Sequence, residues 1–323
     1  MGPGDDCAVL RPSAGRLLVA TTDALVEGVH FDLSLSSARD AGHKALAVNL
    51  SDLAAAGARP RWFLCALGVP RTPHSRGAAV FATARALAGG MAALARESGM
   101  ALVGGNVAGA DRWSLTVTAL GEAAAPLSRR GARPGDALVL AGQVGAAALG
   151  LRLLRGGKRR GPDVLARALR AVPASARAAV RAQLRPSALV AAGLAAAPIA
   201  SASIDLSDGL LADLRHLLDA SGCGAELDLE RLPRSAAVQA AEAALARAGD
   251  HPYALSLPGG EDYALLFAVR PARERALLAA LRRSGTSART VGRCTRGSSI
   301  ALRERGRPVP LPRQTGWDHL RRA

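Results

Sequence analysis

The sequence predicts an α/β protein, and three features of the chain support this prediction. Its 323 residues are enough for two α/β domains or for one large domain. Almost half of the residues are apolar but only 3% are aromatic, so Ala, Leu and Val must fill the core. Segments typical of strands and of helices alternate along both halves of the chain. We therefore expect two α/β domains.

The first half of the chain alternates between the two patterns. Polar residues at every second position from Trp113 to Leu120 predict a strand with one apolar face. Gly57 and Pro60 end a helical segment. The predicted strands are 17–22, 62–69, 101–103 and 113–120, and the predicted helices are 38–57 and 75–98.

A polar turn from Arg129 to Asp136 separates the two halves. It contains Pro134 and Gly135, which are typical of a connection between compact units. We place the boundary in this turn, with a first domain of residues 1–130 and a second of residues 131–323. In the second domain the predicted strands are 137–140, 202–206, 225–229 and 264–269. One predicted helix begins at Gly145, and two more cover 210–220 and 272–283. Residues 155–162 are predicted to form an exposed loop.

The charge of the chain indicates what it attracts. The formal net charge is +16, from 42 Lys and Arg against 26 Asp and Glu. A charge of this size can attract nucleic acids or anionic membranes. The excess is nearly all Arg scattered along the chain, without a basic patch interleaved with aromatic residues. We therefore expect no nucleic-acid or membrane partner, whereas a substrate that carries phosphate would also be attracted.

The remaining composition predicts a cytoplasmic protein. The stretch 190–204 is apolar, but it is rich in small residues and broken by Pro198, so it predicts no membrane span. The chain begins with a turn, MGPGDD, which is not typical of a secretion signal. The cysteines lie far apart, without the spacing of a metal site, and are expected to be free thiols in a reducing compartment: Cys7, Cys65, Cys223 and Cys294.

Carboxylates recur where predicted strands end or helices begin. Each has an ordinary explanation by itself: Asp208 could cap a helix, Asp23 could lie in a loop, and Asp52 could be a tolerated polar residue. Together they indicate a cation site, because Mg²⁺ is held by a few carboxylates plus substrate phosphates. The four motifs are Gly4-Asp5-Asp6, Thr21-Thr22-Asp23, Asn49-Leu50-Ser51-Asp52 and Asp205-Leu206-Ser207-Asp208-Gly209.

Glycine-rich segments predict turns that could hold the phosphates. Glycine lets backbone amides approach an anion, and the start of a helix favours negative charge. No Walker A motif and no protein-kinase motif occurs in the sequence, so an ATP-using enzyme would belong to another lineage. The three segments are Gly104-Gly105-Asn106, Gly142-Gln143-Val144-Gly145 and Gly259-Gly260-Glu261-Asp262.

Longer strings that contain these motifs resemble the thiamine-monophosphate kinase family. They occur in the order of the family and span nearly the whole chain. The strings TTDALVEGVHF and KALAVNLSDLA are specific, whereas the Gly-Gly turns are common. The matching segments are Gly4–Ala8, Thr21–Phe31, Lys44–Ala54, Ser203–Leu210, Gly259–Tyr263 and Gly316–His319.

The resemblance implies an aminoimidazole-ribonucleotide synthetase-like fold, an α/β (α+β) fold of two domains. The N-terminal sheet would pair across a homodimer, and the C-terminal α/β domain would close over the nucleotide. The implied reaction is direct in-line transfer of phosphate from ATP to thiamine monophosphate with Mg²⁺, which needs positioning and charge neutralisation but no covalent catalyst.

The resemblance also implies the roles of individual residues. The implied metal ligands are Asp6, Thr21, Thr22, Asp23, Asp52, Asn106, Asp205 and Asp208. The implied ATP contacts are Gly105, Asn106, Arg129 and Ser207. The implied substrate contacts are His30, Glu261 and Trp317.

The chain departs from the family pattern at Asn106, where the family usually has Asp. A neutral amide there still offers one oxygen to Mg²⁺ but removes a charge. The family also has a helical segment before the Gly-Asp-Asp turn at which this sequence starts. The alternatives are a non-catalytic or weakened homologue that binds ATP or thiamine phosphates, a sister ATP-using synthetase of the same superfamily, and a nucleic-acid-binding protein.

Overall fold

The structure is a computed structural model, and it describes residues 2–4, 6–71, 77–156 and 173–317. In the described part, two β-sheets lie on either side of residue 130 in the sequence. One sheet has four strands in the order β1-β4-β2-β3, and the other has seven strands in the order β11-β10-β7-β9-β5-β8-β6. The fold is therefore mixed α/β with two sheets, as the sequence predicted. The boundary at residue 130 itself stays a prediction.

The four-stranded sheet is covered by helices on one face. Strand β4 is antiparallel to β1 and to β2, and β3 is parallel to β2. Residues of β4 alternate between a buried row that includes Leu115 and Val117 and an outer row that includes Thr116. The elements are β1 Leu17–Val26, α1 Ala38–Ala55, β2 Arg59–Pro70, α2 Ala78–Ser98, β3 Ala101–Ala110 and β4 Ser114–Ala123.

Helix α1 joins the two halves of the molecule. Ser37 caps its N-terminus by accepting a hydrogen bond from Asp40 N at 3.1 Å. The helix packs on β1 and β4 on one side and on elements of the second half on the other. Its last turn therefore belongs to both cores, and Ala54 is part of the apolar cluster under the seven-stranded sheet. A Cβ at Gly193 would lie 1.9 Å from Ala54 O, so this crossing requires glycine.

The seven-stranded sheet carries the rest of the described chain. Its interior strands β5 and β8 are antiparallel to each other and fully buried. The strands are β5 Ala137–Ala141, β6 Ala202–Asp205, β7 Gly224–Asp228, β8 Leu265–Val269, β9 Ala288–Thr295, β10 Ile300–Glu304 and β11 Arg307–Val309. The helices are α3 Ala146–Gly156, α4 Arg177–Leu184, α5 Val190–Ala196, α6 Leu210–Ser221, α7 Ala236–Arg247 and α8 Glu274–Arg283.

One local prediction was wrong, and another was wrong at its first two residues. The segment Gly104-Gly105-Asn106 is not a turn, because β3 continues through it to Ala110. Glycine is needed there because a Cβ at Gly105 would lie 2.1 Å from the carbonyl oxygen of Cys65 on β2. The predicted loop 155–162 begins inside α3, which ends at Gly156, and its remaining residues lie outside the described part.

Helix α2 is the one described helix that is long and apolar enough to cross a membrane by length and composition alone. Only 22% of its apolar window is buried. The helix lies against α1, where a Cβ at Gly42 would meet Leu87 O at 1.9 Å. One such helix is weak evidence for a membrane span, and the prediction that the chain has no membrane partner stays a prediction.

Candidate active site

A cavity of about 550 Å³ lies where both halves of the chain meet. We call it the central cavity. Strand β1 contributes Asp23, helix α1 contributes Asp52, and the end of β6 contributes Asp205. Other predicted site residues also line it: His30, Ser207, Asp208, Glu261 and Trp317. The fold thus brings together carboxylates that are up to 238 residues apart in the chain, counting from Asp23 to Glu261.

Asp23 and Asp52 form a carboxyl pair on the floor of the central cavity. Burial, the charge of Asp52 and a hydrogen bond to Asp52 raise the pKa of Asp23 to about 6. Burial also raises the pKa of Asp52, while a hydrogen bond from Thr21 Oγ1 and the charge of Arg129 oppose this shift. Two carboxyl groups this close repel each other when both are ionised. A cation between them would remove that repulsion.

Asp205 faces the same pair from the second half of the chain. It is 5% exposed, and Ser51 Oγ donates a hydrogen bond to its Oδ2 at 2.7 Å. Burial and the charges of Asp52 and Asp23 raise the pKa of Asp205 to about 7. Arg129 lowers it, which places the guanidinium of Arg129 within electrostatic reach of the carboxylates.

Asp213 holds the loop that carries Asp205 and Asp208. Its Oδ2 accepts hydrogen bonds from Asp208 N at 3.0 Å and from Gly209 N at 3.1 Å. Burial raises the pKa of Asp213 to about 8. The predicted role of Asp208 as N-cap is wrong, because Gly209 occupies the N-cap of α6. Asp208 can therefore direct its carboxylate into the central cavity, which it lines.

The loop that carries Glu261 is packed directly on the Asp205 loop. Glu261 N donates to Ser207 O at 2.7 Å. A Cβ at Gly260 would lie 2.5 Å from the same oxygen, so glycine permits this contact. Glu261 has φ 69°, a left-handed conformation that is costly for a residue other than glycine. The cavity-facing position of Glu261 is thus fixed by the backbone.

Asp262, which follows Glu261, caps helix α3. Its carboxylate accepts from Gly145 N at 2.6 Å and from Ala147 N at 2.9 Å. Burial raises its pKa to about 7, and these hydrogen bonds oppose the shift. The start of α3 is therefore occupied by a carboxylate of the same chain, and these two amides of the Gly142–Gly145 segment and helix start are not open to a phosphate.

Lys44 connects two predicted substrate contacts. Its Nζ donates to His30 O at 3.2 Å and forms an ion pair with Glu261, while the lysine itself is 4% exposed. His30 Nδ1 accepts from Val26 N at 3.1 Å, so the remaining ring nitrogen, Nε2, carries the proton in the neutral ring. The side of the central cavity that carries His30 and Glu261 is therefore held by a buried charge.

Trp317 closes the cavity from the C-terminal tail. Its backbone N donates to Asp208 O at 2.9 Å, which ties the tail to the carboxylate loop. The side chain is 47% exposed and lines the central cavity. Asp318 and His319, which are part of the same family motif, lie outside the described residues.

Several predicted site residues do not line the central cavity. Asp6 is exposed near the start of the chain, and Asp5 lies outside the described part. Thr22 faces the outer side of the sheet, where its Oγ1 donates to Val117 O at 3.1 Å. Asn106 pairs with Ala66 on edge strand β3, in the row of outward-facing residues that includes Thr116. Gly105 lies on the same edge strand, and the roles of these residues stay predictions.

Sequence reasoning did not single out Lys44, Gln183, Asp213 or Asp262. Asp262 directly follows Glu261, and Asp213 follows Asp208 by five residues, so local patterns contained both. Lys44 could be found as the one charge in the apolar run KALAVNL. Gln183 gives no signal, because its partner Glu261 is 78 residues away.

The fold and the site define an AIR synthase related protein. Residues 4–123 match the family described as AIR synthase related protein, N-terminal domain, and residues 133–304 match the corresponding C-terminal domain. The thiamine-monophosphate kinase of Salmonella typhimurium is 36% identical over 99% of this chain and 91% of its own length. On this similarity, the chain belongs to the thiamine-monophosphate kinase family, and the family predicted from sequence is confirmed.

Solved structures agree with this assignment. The thiamine-monophosphate kinase of Stenotrophomonas maltophilia K279a has a TM-score of 0.79 and 36% identity, covering 94% of this chain and 90% of that chain. A structure described as AaThiL complexed with AMPPCP and TMP has a TM-score of 0.76 and 29% identity, covering 96% of this chain and 89% of that chain. The predicted two-domain fold is therefore confirmed, while pairing across a dimer is a separate question.

Proposed function

We propose that the chain transfers a phosphate from ATP to thiamine monophosphate, giving ADP and thiamine diphosphate by direct in-line transfer. The observation that carries this proposal is the central cavity, where Asp23, Asp52, Asp205 and Asp208 converge beside Glu261. Membership of the kinase family and the solved relative with AMPPCP and TMP support the choice of substrates. They also favour the kinase over the sister synthetases.

The donor set of the cavity fits Mg²⁺. Asp23, Asp52, Asp205 and Asp208 offer carboxylate oxygens, which hard cations prefer. The raised pKa of Asp23 and of Asp205 reflects first their burial and then the repulsion between neighbouring carboxylates. Among the described residues, no three His, Cys, Asp or Glu side chains already form a closed metal cluster. Mg²⁺ typically completes its shell with waters and substrate phosphates, so an open set is expected. When bound, Mg²⁺ would neutralise phosphate charge.

The residues of the chain then position the two substrates. Glu261 and His30 define one side of the cavity and are joined through Lys44. Trp317 offers an aromatic face on which a cationic or aromatic ring can stack. Arg129 lies within electrostatic reach of the carboxylates and can contact ATP, as can Ser207. Positioning of this kind supplies most of the catalysis that phosphoryl transfer needs.

We also propose that two copies pair through the outer face of the four-stranded sheet. This face exposes small and apolar residues, including Ala24 and Ala66, opposite the face that carries α1 and α2. Asn106 lies on this face, where it would be presented to the partner copy rather than to the cavity of its own chain. Light scattering should give about twice the chain mass of 32.9 kDa, and a monomeric mass would refute the pairing. We also propose a first domain of residues 1–130 and a second domain of residues 131–323. We propose a cytoplasmic location as well, because ATP is available there and thiols stay reduced.

The direct test is formation of ADP and thiamine diphosphate from ATP, thiamine monophosphate and Mg²⁺. The wild-type chain should form both, and Asp205→Asn should lower kcat by about 100-fold or more because it removes a carboxylate from the cation site. Asp219→Asn is the matched control, since Asp219 is exposed and pairs with Arg215 at 3.5 Å, away from the central cavity. Binding of thiamine monophosphate without any turnover would select the non-catalytic homologue instead.

A further inference from the structure

Gln183 and Lys44 hold the carboxylate of Glu261 from two sides. Nε2 of Gln183 donates to Oε2 of Glu261 at 2.6 Å, and Lys44 forms its ion pair with Oε1. Only the NH₂ end of an amide can donate to a carboxylate. The contact therefore fixes which end of the Gln183 side chain carries the oxygen.

The carbonyl oxygen of Gln183 is directed away from Glu261. Gln183 is 6% exposed, and within the described ranges its Oε1 has no hydrogen-bond partner. Buried polar atoms in native proteins nearly always have a partner. An acceptor that is buried and unpaired beside a binding cavity indicates that a bound molecule donates to it.

A second, smaller cavity adjoins the central cavity at Gln183. Its volume is about 140 Å³, close to the roughly 150 Å³ cavity that accepts one benzene ring in another protein. It therefore has room for one six-membered ring and is too small for a nucleoside. Its lining is about equally polar and apolar. The apolar side chains include Phe31, Leu35, Leu151, Leu154 and Leu184, and the polar ones include Asp32, Lys44, Arg155, Gln183 and Glu261.

We propose that Gln183 is a specificity-determining residue for the aminopyrimidine ring of thiamine monophosphate. The ring occupies the smaller cavity, and Oε1 of Gln183 accepts a hydrogen bond from its exocyclic amino group. Lys44 acts as a positioning residue, because its ion pair holds the carboxylate of Glu261 beside the ring. This inference rests on the proposed function. It adds the feature of the substrate that the site recognises, which is the hydrogen-bond donor at the edge of the ring.

The inference is tested by the affinities for two ligands. Thiamine monophosphate carries the amino group, whereas oxythiamine monophosphate has an oxygen there and cannot donate from that position. Calorimetry should give the wild type an affinity for thiamine monophosphate about 10-fold or more above that for the oxo analogue. Gln183→Met, which keeps the length of the side chain but removes its polar atoms, should bind the two ligands equally.

Gln239→Met is the matched control, because Gln239 is exposed and its Nε2 donates to Arg234 O, away from both cavities. It should keep the wild-type preference. Binding of an ATP analogue by Gln183→Met shows that the variant is folded. A preference retained in Gln183→Met would overturn the inference, as would equal affinities in the wild type, whether or not the variant folds. Absence of thiamine monophosphate binding and turnover in the wild type would overturn the proposed function as well.

Discussion

Asp262 is predicted to affect both stability and substrate binding. In Asp262→Ala, the amides of Gly145 and Ala147 lose the acceptor that now lies 2.6 and 2.9 Å away. A buried donor without a partner costs about 1–3 kcal/mol. Part of this loss is offset, because the raised pKa of Asp262 shows that its buried charge is itself unfavourable. We therefore expect the free energy of unfolding to fall by about 2 kcal/mol, measured by denaturant titration.

The same substitution should also lower kcat/KM for thiamine monophosphate, because it displaces Glu261. Asp262 anchors the backbone between Glu261 and Tyr263, both of which have positive φ, 69° and 49°. Without the anchor these residues can relax toward ordinary conformations, and the carboxylate of Glu261 moves away from the cavity. A displacement of about 1 Å can cost up to about 100-fold in rate, so kcat/KM for thiamine monophosphate should fall by about 10- to 100-fold.

Ser235→Ala separates the two effects. Ser235 caps α7 by accepting from Val238 N at 3.2 Å, and it does not line the central cavity. Its loss should cost about 1 kcal/mol of stability and leave kcat/KM unchanged. If Asp262→Ala also lowered stability while kcat/KM stayed at the wild-type value, the reasoning that links the α3 cap to Glu261 would be refuted.

Three further predictions concern the carboxylates and their neighbours. The raised pKa values of Asp23 and Asp205 mean that the folded state binds protons more tightly than the unfolded state between about pH 4 and pH 7, so stability should fall as the pH rises through this window. Because Mg²⁺ needs the ionised carboxylates, its thermal stabilisation of the protein should be larger at about pH 8 than at about pH 5.5, and equal shifts of the melting temperature would contradict this. Asn106→Asp should leave the Mg²⁺ concentration that gives half the maximal rate unchanged, because residue 106 lies in the outer row of the four-stranded sheet and not in the central cavity of its own chain; a lower Mg²⁺ requirement would place residue 106 in the cation site. Lys44→Met should raise KM for thiamine monophosphate by about 10-fold and leave KM for ATP unchanged, since Lys44 holds Glu261; equal changes in both KM values would indicate general damage.

Sequence patterns predicted the elements whose periodicity is set by local burial. Polar and apolar residues alternate along β4 because one face of the strand is covered. Helix α1 could be predicted from the length of its segment and from Gly57, which follows its end. Strand β3 was predicted too short because its glycines are typical of turns. The strand needs them because β2 approaches closely, and this tertiary contact cannot be predicted from the local sequence.

The same distinction applies to the site. Asp205 and Asp208 lie at or just after the end of β6, and Asp52 interrupts an apolar helix, so their positions in the chain indicate chemistry. Asp23 was predicted to follow a strand, but β1 continues past it to Val26. The fold brings all four carboxylates to one cavity. Residues that act by holding a neighbouring side chain are not identified by any local sequence pattern. Gln183 lies in an ordinary amphipathic helix, and only the folded structure brings its amide to Glu261.

The central claim is tested most directly by following the terminal phosphate of ATP. With ATP labelled at the γ-phosphate and with Mg²⁺ present, the label should appear in thiamine diphosphate in an amount equal to the ADP formed. Omission of thiamine monophosphate should stop ADP formation. Label released as inorganic phosphate, or ADP formed at the same rate without thiamine monophosphate, would contradict direct transfer to this acceptor.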